Sequence, residues 1–329
     1  IIGPYLEEHR YLHTKDHIIY ILKLIHQDFF LKQRFSESEL QTLVLAAWFH
    51  DIVYNPRSAT NEEDSVSYML QTFKDLSYKI DIKWWDKIRE VEVLINDTKH
   101  HNATEWVSAI FCSYDMAGLF EDDMTAEYLV FKEYQFADFK LYQQKRIEFL
   151  TTTLATVTEE AKQKVLKRRI QWVRNFSPRI GVYAGSFNPL HLGHKNIIDK
   201  ANEIFDKVII LFASNPEKSQ NQFFIGKDTC LERVRNTLPF MQVDILEEKF
   251  LTDYFKKMNE SSADFVLVKG LRNGDDLSYE ENQLYFMKKL YPELKVVFLM
   301  CDEEFKHISS SAIRNIAKLD KEEALKYVI

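Results

Sequence analysis

The first 176 residues carry their apolar positions at helical spacing. Ile18, Ile21, Leu22, Ile25 and Phe29 recur three and four apart and predict an amphipathic helix. Similar patterns predict helices over 40–48, 61–73, 84–94, 125–134 and 139–154. Asn61-Glu62-Glu63 supplies the polar and acidic residues suited to a helix start. Residues 157–175 read as a last helix, rich in Lys and Arg on a solvated face, and Ser177-Pro178 breaks it. Beyond that break the period changes. Short apolar runs over 180–184, 207–212, 242–246, 265–268 and 296–300 read as strands. Helical patterns over 192–205, 229–237, 250–258 and 279–290 separate them, and helices over 311–319 and 321–327 close the chain. Strands alternating with helices imply right-handed crossovers and a parallel sheet, with ligands bound beyond the C-terminal strand edges. The expected architecture is multidomain: an all-α domain over 1–176, then an α/β domain over 177–329.

Composition sharpens this division. Two of the 8 glycines (Gly3, Gly118) precede residue 179, whereas seven of the 10 histidines do. A glycine-poor, histidine-rich first half fits helices around a polar site. Glycines at strand ends, Gly185 and Gly270, fit the second. Three scattered cysteines without a CxxC suggest a reducing compartment, and a cytoplasmic location is expected. No apolar run reaches the roughly 18 residues of a membrane helix, so no membrane partner is expected. A net charge of −7 argues against nucleic acid as a partner. No signal peptide is visible, but the chain opens on Ile1, so a preceding segment is expected.

The first strand leads into Gly185-Ser186-Phe187-Asn188-Pro189-Leu190-His191-Leu192-Gly193-His194. A glycine here lets backbone approach a phosphate, and the helix that follows presents free amides to an anion. Two histidines three apart can hydrogen-bond one phosphate across a turn. The string resembles the HxGH signature of the nucleotidyltransferase superfamily, whose fold is Rossmann-like. Ser214-Asn215-Pro216-Glu217-Lys218, Lys269-Gly270-Leu271-Arg272, Asp276-Leu277-Ser278-Tyr279-Glu280 and Ile308-Ser309-Ser310-Ser311 follow in the order of bacterial phosphopantetheine adenylyltransferases.

That resemblance implies transfer of adenylyl from ATP, with Mg²⁺, to 4′-phosphopantetheine, giving dephospho-CoA and pyrophosphate. His194 and His191 would steady the α-phosphate. Ser186, Lys218 and Lys269 would hold the acceptor. Gly185, Ser186, Phe187, Gly270, Arg272, Glu280 and Ser309 to Ser311 would bind ATP. His191, His194, Lys218 and Arg272 would carry catalysis. The family is often hexameric, so a homo-oligomer is expected. Asn188, His191 and Lys269 depart from the family's common residues, and GSFNP with HxGH also resembles nicotinate mononucleotide adenylyltransferases, the alternative for the acceptor.

The first half has a second constellation. His13 and His17 lie four apart, His50-Asp51 ends an apolar helix, and His100-His101 and Asp115 follow. Imidazole with carboxylate suits a divalent ion such as Mn, Fe, Ni or Zn, which can generate hydroxide for phosphoester cleavage. Tyr11-Leu12-His13-Thr14 with His17-Ile18, Trp48 to Tyr54, Asn61-Glu62-Glu63 and Thr98 to His101 resemble HD-superfamily predicted metal-dependent phosphohydrolases. The resemblance implies His50, Asp51 and Asp115 as ligands, with His17 or His13 as the other. Lys99 and His101 would contact substrate phosphate. A nucleotide-sensing domain without hydrolysis is the alternative.

Overall fold

A computed structural model describes residues 2–76, 82–101, 103, 105–213, 227–247 and 249–329. Among the described residues eight α-helices precede the sheet: α1 (Lys15–His26), α2 (Glu37–Phe49), α3 (Asn61–Asp75), α4 (Ile82–Thr98), α5 (Trp106–Asp115), α6 (Thr125–Glu133), α7 (Phe139–Thr156) and α8 (Glu160–Asn175). Among the described residues before Ser177 no strand forms. Then come β1 (Arg179–Gly185), α9 (Leu192–Ile204), β2 (Lys207–Phe212), α10 (Lys227–Thr237), β3 (Gln242–Ile245), α11 (Leu251–Met258), β4 (Asp264–Leu271), α12 (Gly274–Leu290), β5 (Lys295–Met300), α13 (Ser310–Ala317) and α14 (Lys321–Leu325).

The chain divides into two compact units, residues 1–133 with 150–170, and residues 134–149 with 171–329. The strand–helix alternation begins where the sequence places it. The second unit is larger than 177–329, however, because residues 134–149 and 171–176 pack with the sheet residues. Lys207 Nζ donates to the carbonyls of Gln135 (2.7 Å) and Ala137, and Gln143 Nε2 donates to Val173 O at 2.8 Å.

In the first unit the apolar stripe of α1 does what its spacing predicts. Ile18, Ile21 and Ile25 are buried in one core with Leu43, Ala46 and Ala47 of α2 and Ile88, Val91 and Ile95 of α4. Helix α2 opens on a capping box: Ser36 Oγ accepts from Glu39 N (3.3 Å), and Ser36 N donates to Glu39 Oε2 (2.7 Å). It ends at His50-Asp51, so the start of this helix is anchored and its far end delivers the two candidate ligands. Helix α5 is absent from the sequence reading. Val107, Ile110, Phe111 and Tyr114 have helical spacing, but the segment is short and rich in β-branched and aromatic residues that favour strands. Its last residue is Asp115.

In the second unit all five strands are parallel in the order β3-β2-β1-β4-β5. The chain steps outward from β1 through β2 to β3, then returns to the other side of β1 with β4. That reversal opens a crevice between β1 and β4 at their C-terminal ends, the general binding position in such sheets. Gly185 and Gly270 stand at these ends. A Cβ on Gly270 would lie 2.8 Å from Ile197 Cγ1 of α9, so only glycine lets β4 and α9 close on each other.

Candidate functional site

A cleft of about 350 Å³ occupies the crevice. Gly185 and Ser186 form one wall, His191, Gly193 and His194 the second, and Gly270, Arg272, Asp276 and Glu280 a third. Ser309, Ser310, Ser311 and Arg314 close it.

The two histidines share one device. His191 is the N-cap of α9 in extended backbone, and His194 is the third residue of that helix. His194 N donates to His191 Nδ1, and His191 N donates to His194 Nδ1, both at 3.3 Å. Their rings stack with centroids 3.6 Å apart. Because each Nδ1 accepts a backbone N–H, each neutral ring carries its proton on Nε2. Both stay neutral. Burial, then the Arg272 charge, lowers His191 to about 4; burial, then His191 and Arg272, holds His194 well below the usual imidazole range. The result is a pair of adjacent neutral N–H donors. Such donors can stabilise negative charge developing on a phosphoryl group.

The remaining predicted residues fall into several environments. Arg272 lines the cleft but is clamped by Asp276: Nε to Oδ2 and Nη2 to Oδ1, both 2.9 Å, with the Arg272 backbone N–H on the same carboxylate. Lys269 Nζ lies 2.7 Å from Glu280 Oε2. Each cation thus carries a counter-charge from α12. Lys218 and the rest of Ser214-Asn215-Pro216-Glu217-Lys218 lie outside the described residues.

One expected placement needs correction. Phe187 does not line the cleft. It has a left-handed backbone (φ 43°), and its buried ring takes the space above Gly185, where a Cβ would lie 3.0 Å from Phe187 Cζ. The glycine therefore accommodates a core aromatic as well as leaving the strand end open. The serines line the cleft, and only Ser310 spends its hydroxyl proton within the fold. Ser309 Oγ accepts from Ala312 N (3.1 Å), Ser310 Oγ donates to Pro189 O (3.1 Å), and Ser311 Oγ accepts from Arg314 Nη2 (2.9 Å). For an anion there remain the O–H groups of Ser309 and Ser311 and the first-turn amides of α13.

Tyr183, Asp276, Cys301 and Arg314 also line the cleft and are missing from the predicted set. Tyr183 had a signal, two residues before Gly185 on the same strand. Arg314 lies three residues after Ser311 on α13. Cys301 follows β5, and nothing local marks it.

In the first unit His17, His50, Asp51 and Asp115 converge, with one ligand atom from each lying within 4.8 Å of the others. His17 Nε2 is 2.9 Å from Asp115 Oδ1 and 3.8 Å from Asp51 Oδ2. His50 Nδ1 donates to Ala47 O at 3.1 Å, which leaves the buried Nε2 without a hydrogen-bond partner. That Nε2 lies 3.1 Å from Asp51 Oδ2 and 3.4 Å from Asp115 Oδ1. Burial pushes the imidazole down, but the charges of Asp51 and Asp115 more than offset it and raise His50 well above its usual range. Two ring nitrogens, one of them the orphaned buried Nε2 of His50, and two carboxylates fit a divalent ion. Tyr114 O–H donates to Asp28 Oδ2 at 2.6 Å and fixes the end of α5 beside Asp115.

His13 is outside this group of four: its Nδ1 lies 2.6 Å from Glu133 Oε2. His101, also in left-handed backbone (φ 48°), puts Nε2 2.8 Å from the other oxygen of Asp115. Lys99 pairs with Glu63.

Comparison with known proteins bears on the second unit. A cytidylyltransferase-like family model matches residues 182–316. The phosphopantetheine adenylyltransferase of Alkaliphilus metalliredigens (strain QYMF) is 35% identical over 141 residues, covering 43% of this chain and 86% of that protein. That of Neisseria meningitidis serogroup C (strain 053442) is 32% identical over 140 residues, 43% of this chain and 80% of the relative. That of Thermotoga neapolitana (strain ATCC 49049 / DSM 4359 / NBRC 107923 / NS-E) is 36% identical over 138 residues, 42% and 83% respectively. The sheet order and the paired histidines define a nucleotidyltransferase of the cytidylyltransferase-like class. Through this α/β portion, the chain belongs to the phosphopantetheine adenylyltransferase family. The helical portion before residue 182 lies outside the family match. No helix among the described residues is long and apolar enough to cross a membrane.

Proposed function

We propose that the α/β unit transfers adenylyl from Mg²⁺-ATP to 4′-phosphopantetheine, giving dephospho-CoA and pyrophosphate. An oxygen of the acceptor phosphate attacks the α-phosphorus of ATP, the bond to the bridging α,β-oxygen breaks, and pyrophosphate leaves. No protein nucleophile is needed; catalysis rests on positioning and on donors aimed at developing charge. The observation that carries this reading is the pair of neutral Nε2–H donors of His191 and His194 at the mouth of β1. The named relatives favour the pantetheine acceptor over nicotinate mononucleotide. Mg²⁺ would screen the triphosphate. Arg272 would exchange part of its bond to Asp276 for phosphate, and the first-turn amides of α13 would meet the distal phosphates. Mass spectrometry of products from Mg²⁺-ATP and 4′-phosphopantetheine tests it. Dephospho-CoA that disappears in His194→Ala supports the reading; no product from folded, ATP-binding protein overturns it.

The helical unit, on this reading, is an HD-type metal-dependent phosphohydrolase. His17, His50, Asp51 and Asp115 would hold one divalent ion (Mn, Fe, Ni or Zn), which when bound supplies a Lewis acid and an activated water. His101 would orient Asp115, and Lys99 would stand at the rim with Glu63. The orphaned His50 Nε2 supports this assignment. Metal analysis of wild type against Asp51→Ala tests it: no metal in either overturns the phosphohydrolase reading.

A further inference from the structure

Glu133, the last residue of α6, is buried, and its two oxygens gather five donors. Oε1 accepts the backbone N–H groups of Tyr11 (2.9 Å), Leu12 (2.7 Å) and His13 (2.9 Å). Oε2 accepts the Tyr54 hydroxyl (2.8 Å) and lies 2.6 Å from His13 Nδ1. Three consecutive amides around one oxygen make an anion nest. With backbone and hydroxyl donors on both oxygens the carboxylate is acceptor-only, so His13 Nδ1 carries a proton toward it. Burial raises the carboxyl, but His13 and these donors outweigh it and hold Glu133 at about 2.

Arg10 ties the same loop to the ligand-bearing turn. Its guanidinium donates to the carbonyls of His13 (3.2 Å), Asp51 (2.7 Å) and Ile52 (3.1 Å). A buried carboxylate is costly unless its donors repay it, and here the repayment fixes one side chain in particular. The His13 ring stacks on Tyr54, centroids 4.2 Å apart, and meets the His17 ring edge-on at 6.0 Å. Among the described residues no hydrogen-bond partner other than Glu133 faces this ring. Its Nε2 is thus left for a ligand beside the four-residue cluster. Lys99 and His101, by contrast, are held by Glu63 and Asp115.

We propose that His13 is the phosphate-contacting side chain of the metal site, with Glu133 and Arg10 as its positioning residues. This rests on the phosphohydrolase reading and deepens it. The ring would share a proton between Nε2 and a phosphoryl oxygen, whichever of the two brings it, so the site would take a phosphomonoester or its product, inorganic phosphate.

The experiment uses the full chain loaded with Zn²⁺, with inorganic phosphate as the probe. Metal per chain and phosphate affinity are measured for wild type, His13→Gln and His13→Asn. In wild type the ¹⁵N shifts of the His13 ring are followed during phosphate addition, a readout that needs no variant to fold. The expected result is bound Zn²⁺ in all three proteins, a loss of phosphate affinity of about tenfold or more in both variants, and a shift of His13 Nε2. Zn²⁺ lost from both variants would make His13 a ligand and overturn the proposal. Retained Zn²⁺ with unchanged phosphate affinity, a wild type that binds Zn²⁺ without binding phosphate, or an unmoved His13 resonance would overturn it and leave the metal reading standing. A wild type that takes up no Zn²⁺ overturns both.

Discussion

His191 and His194 cap each other: each ring accepts the other's backbone N–H through Nδ1, and the rings stack 3.6 Å apart. One motif therefore starts helix α9 and presents two Nε2–H donors. Structure and chemistry can be separated by choice of substitution. On the proposed mechanism His194→Ala removes a donor to the reacting phosphate, and loss of one such donor costs on the order of 10²–10³ in kcat. His191→Asn keeps an N-capping side chain, so its unfolding midpoint should stay near wild type while kcat falls. Calorimetry and initial rates on both variants check this.

Acid should weaken the fold through the same pair. His191 titrates at about 4 in the folded chain and near its ordinary 6.5 when unfolded. Between those values the unfolded chain binds a proton that the folded chain does not, so stability falls as pH drops from 6.5 to 4. The slope of the urea midpoint against pH over that window should shrink in His191→Asn.

A buried lysine acts in the same direction over a higher window. Lys207 opens β2 with its side chain wholly enclosed, and burial lowers it to about 7. From pH 7 to 10.5 the unfolded chain holds the extra proton, so this residue makes stability rise with pH. Lys207→Met should remove that rise. It should also cost about 1–3 kcal/mol near pH 9, because the carbonyls of Gln135 and Ala137 lose their donor. Chemical denaturation of both proteins at pH 7 and pH 9 measures the two effects.

Metal chemistry should separate from adenylyl transfer. Wild type is expected to hold about one divalent ion per chain, and Asp51→Ala to lose it, since the variant gives up one of the two carboxylates that offset the ion's charge. The rate of dephospho-CoA formation should be unchanged in Asp51→Ala. Elemental analysis alongside the transferase assay reads both.

Arg169 and Glu127 form an ion pair buried within the first unit, Nη1 to Oε1 at 3.0 Å, and Arg169 also donates to the carbonyls of Gly118 and Glu121 at 2.8 Å each. Removing one partner of a buried pair costs about 3–5 kcal/mol. Arg169→Met should therefore lower the stability of the helical unit by that order, seen as a lower denaturation midpoint.

The pattern of apolar positions was enough to place β2 at Lys207–Phe212 and the start of α9 at Leu192, because period and punctuation are local properties. The clustered residues His17, His50, Asp51 and Asp115 were also among the candidates, the first three because they sit in recognisable strings. The choice between His13 and His17 was not within reach. It depends on Glu133, 120 residues beyond His13, whose carboxylate draws the His13 ring away from the four-residue cluster. Nor could the sequence show that Phe187 turns into the fold or that the Ser310 hydroxyl is taken by Pro189 O. Which way a side chain faces is decided by what fills the space beside it. Residue types and their spacing determined the two architectures and the chemistry each can support. Only tertiary packing decided which atoms stay free to perform it, because a donor or acceptor that finds a partner inside the fold is no longer available to a ligand.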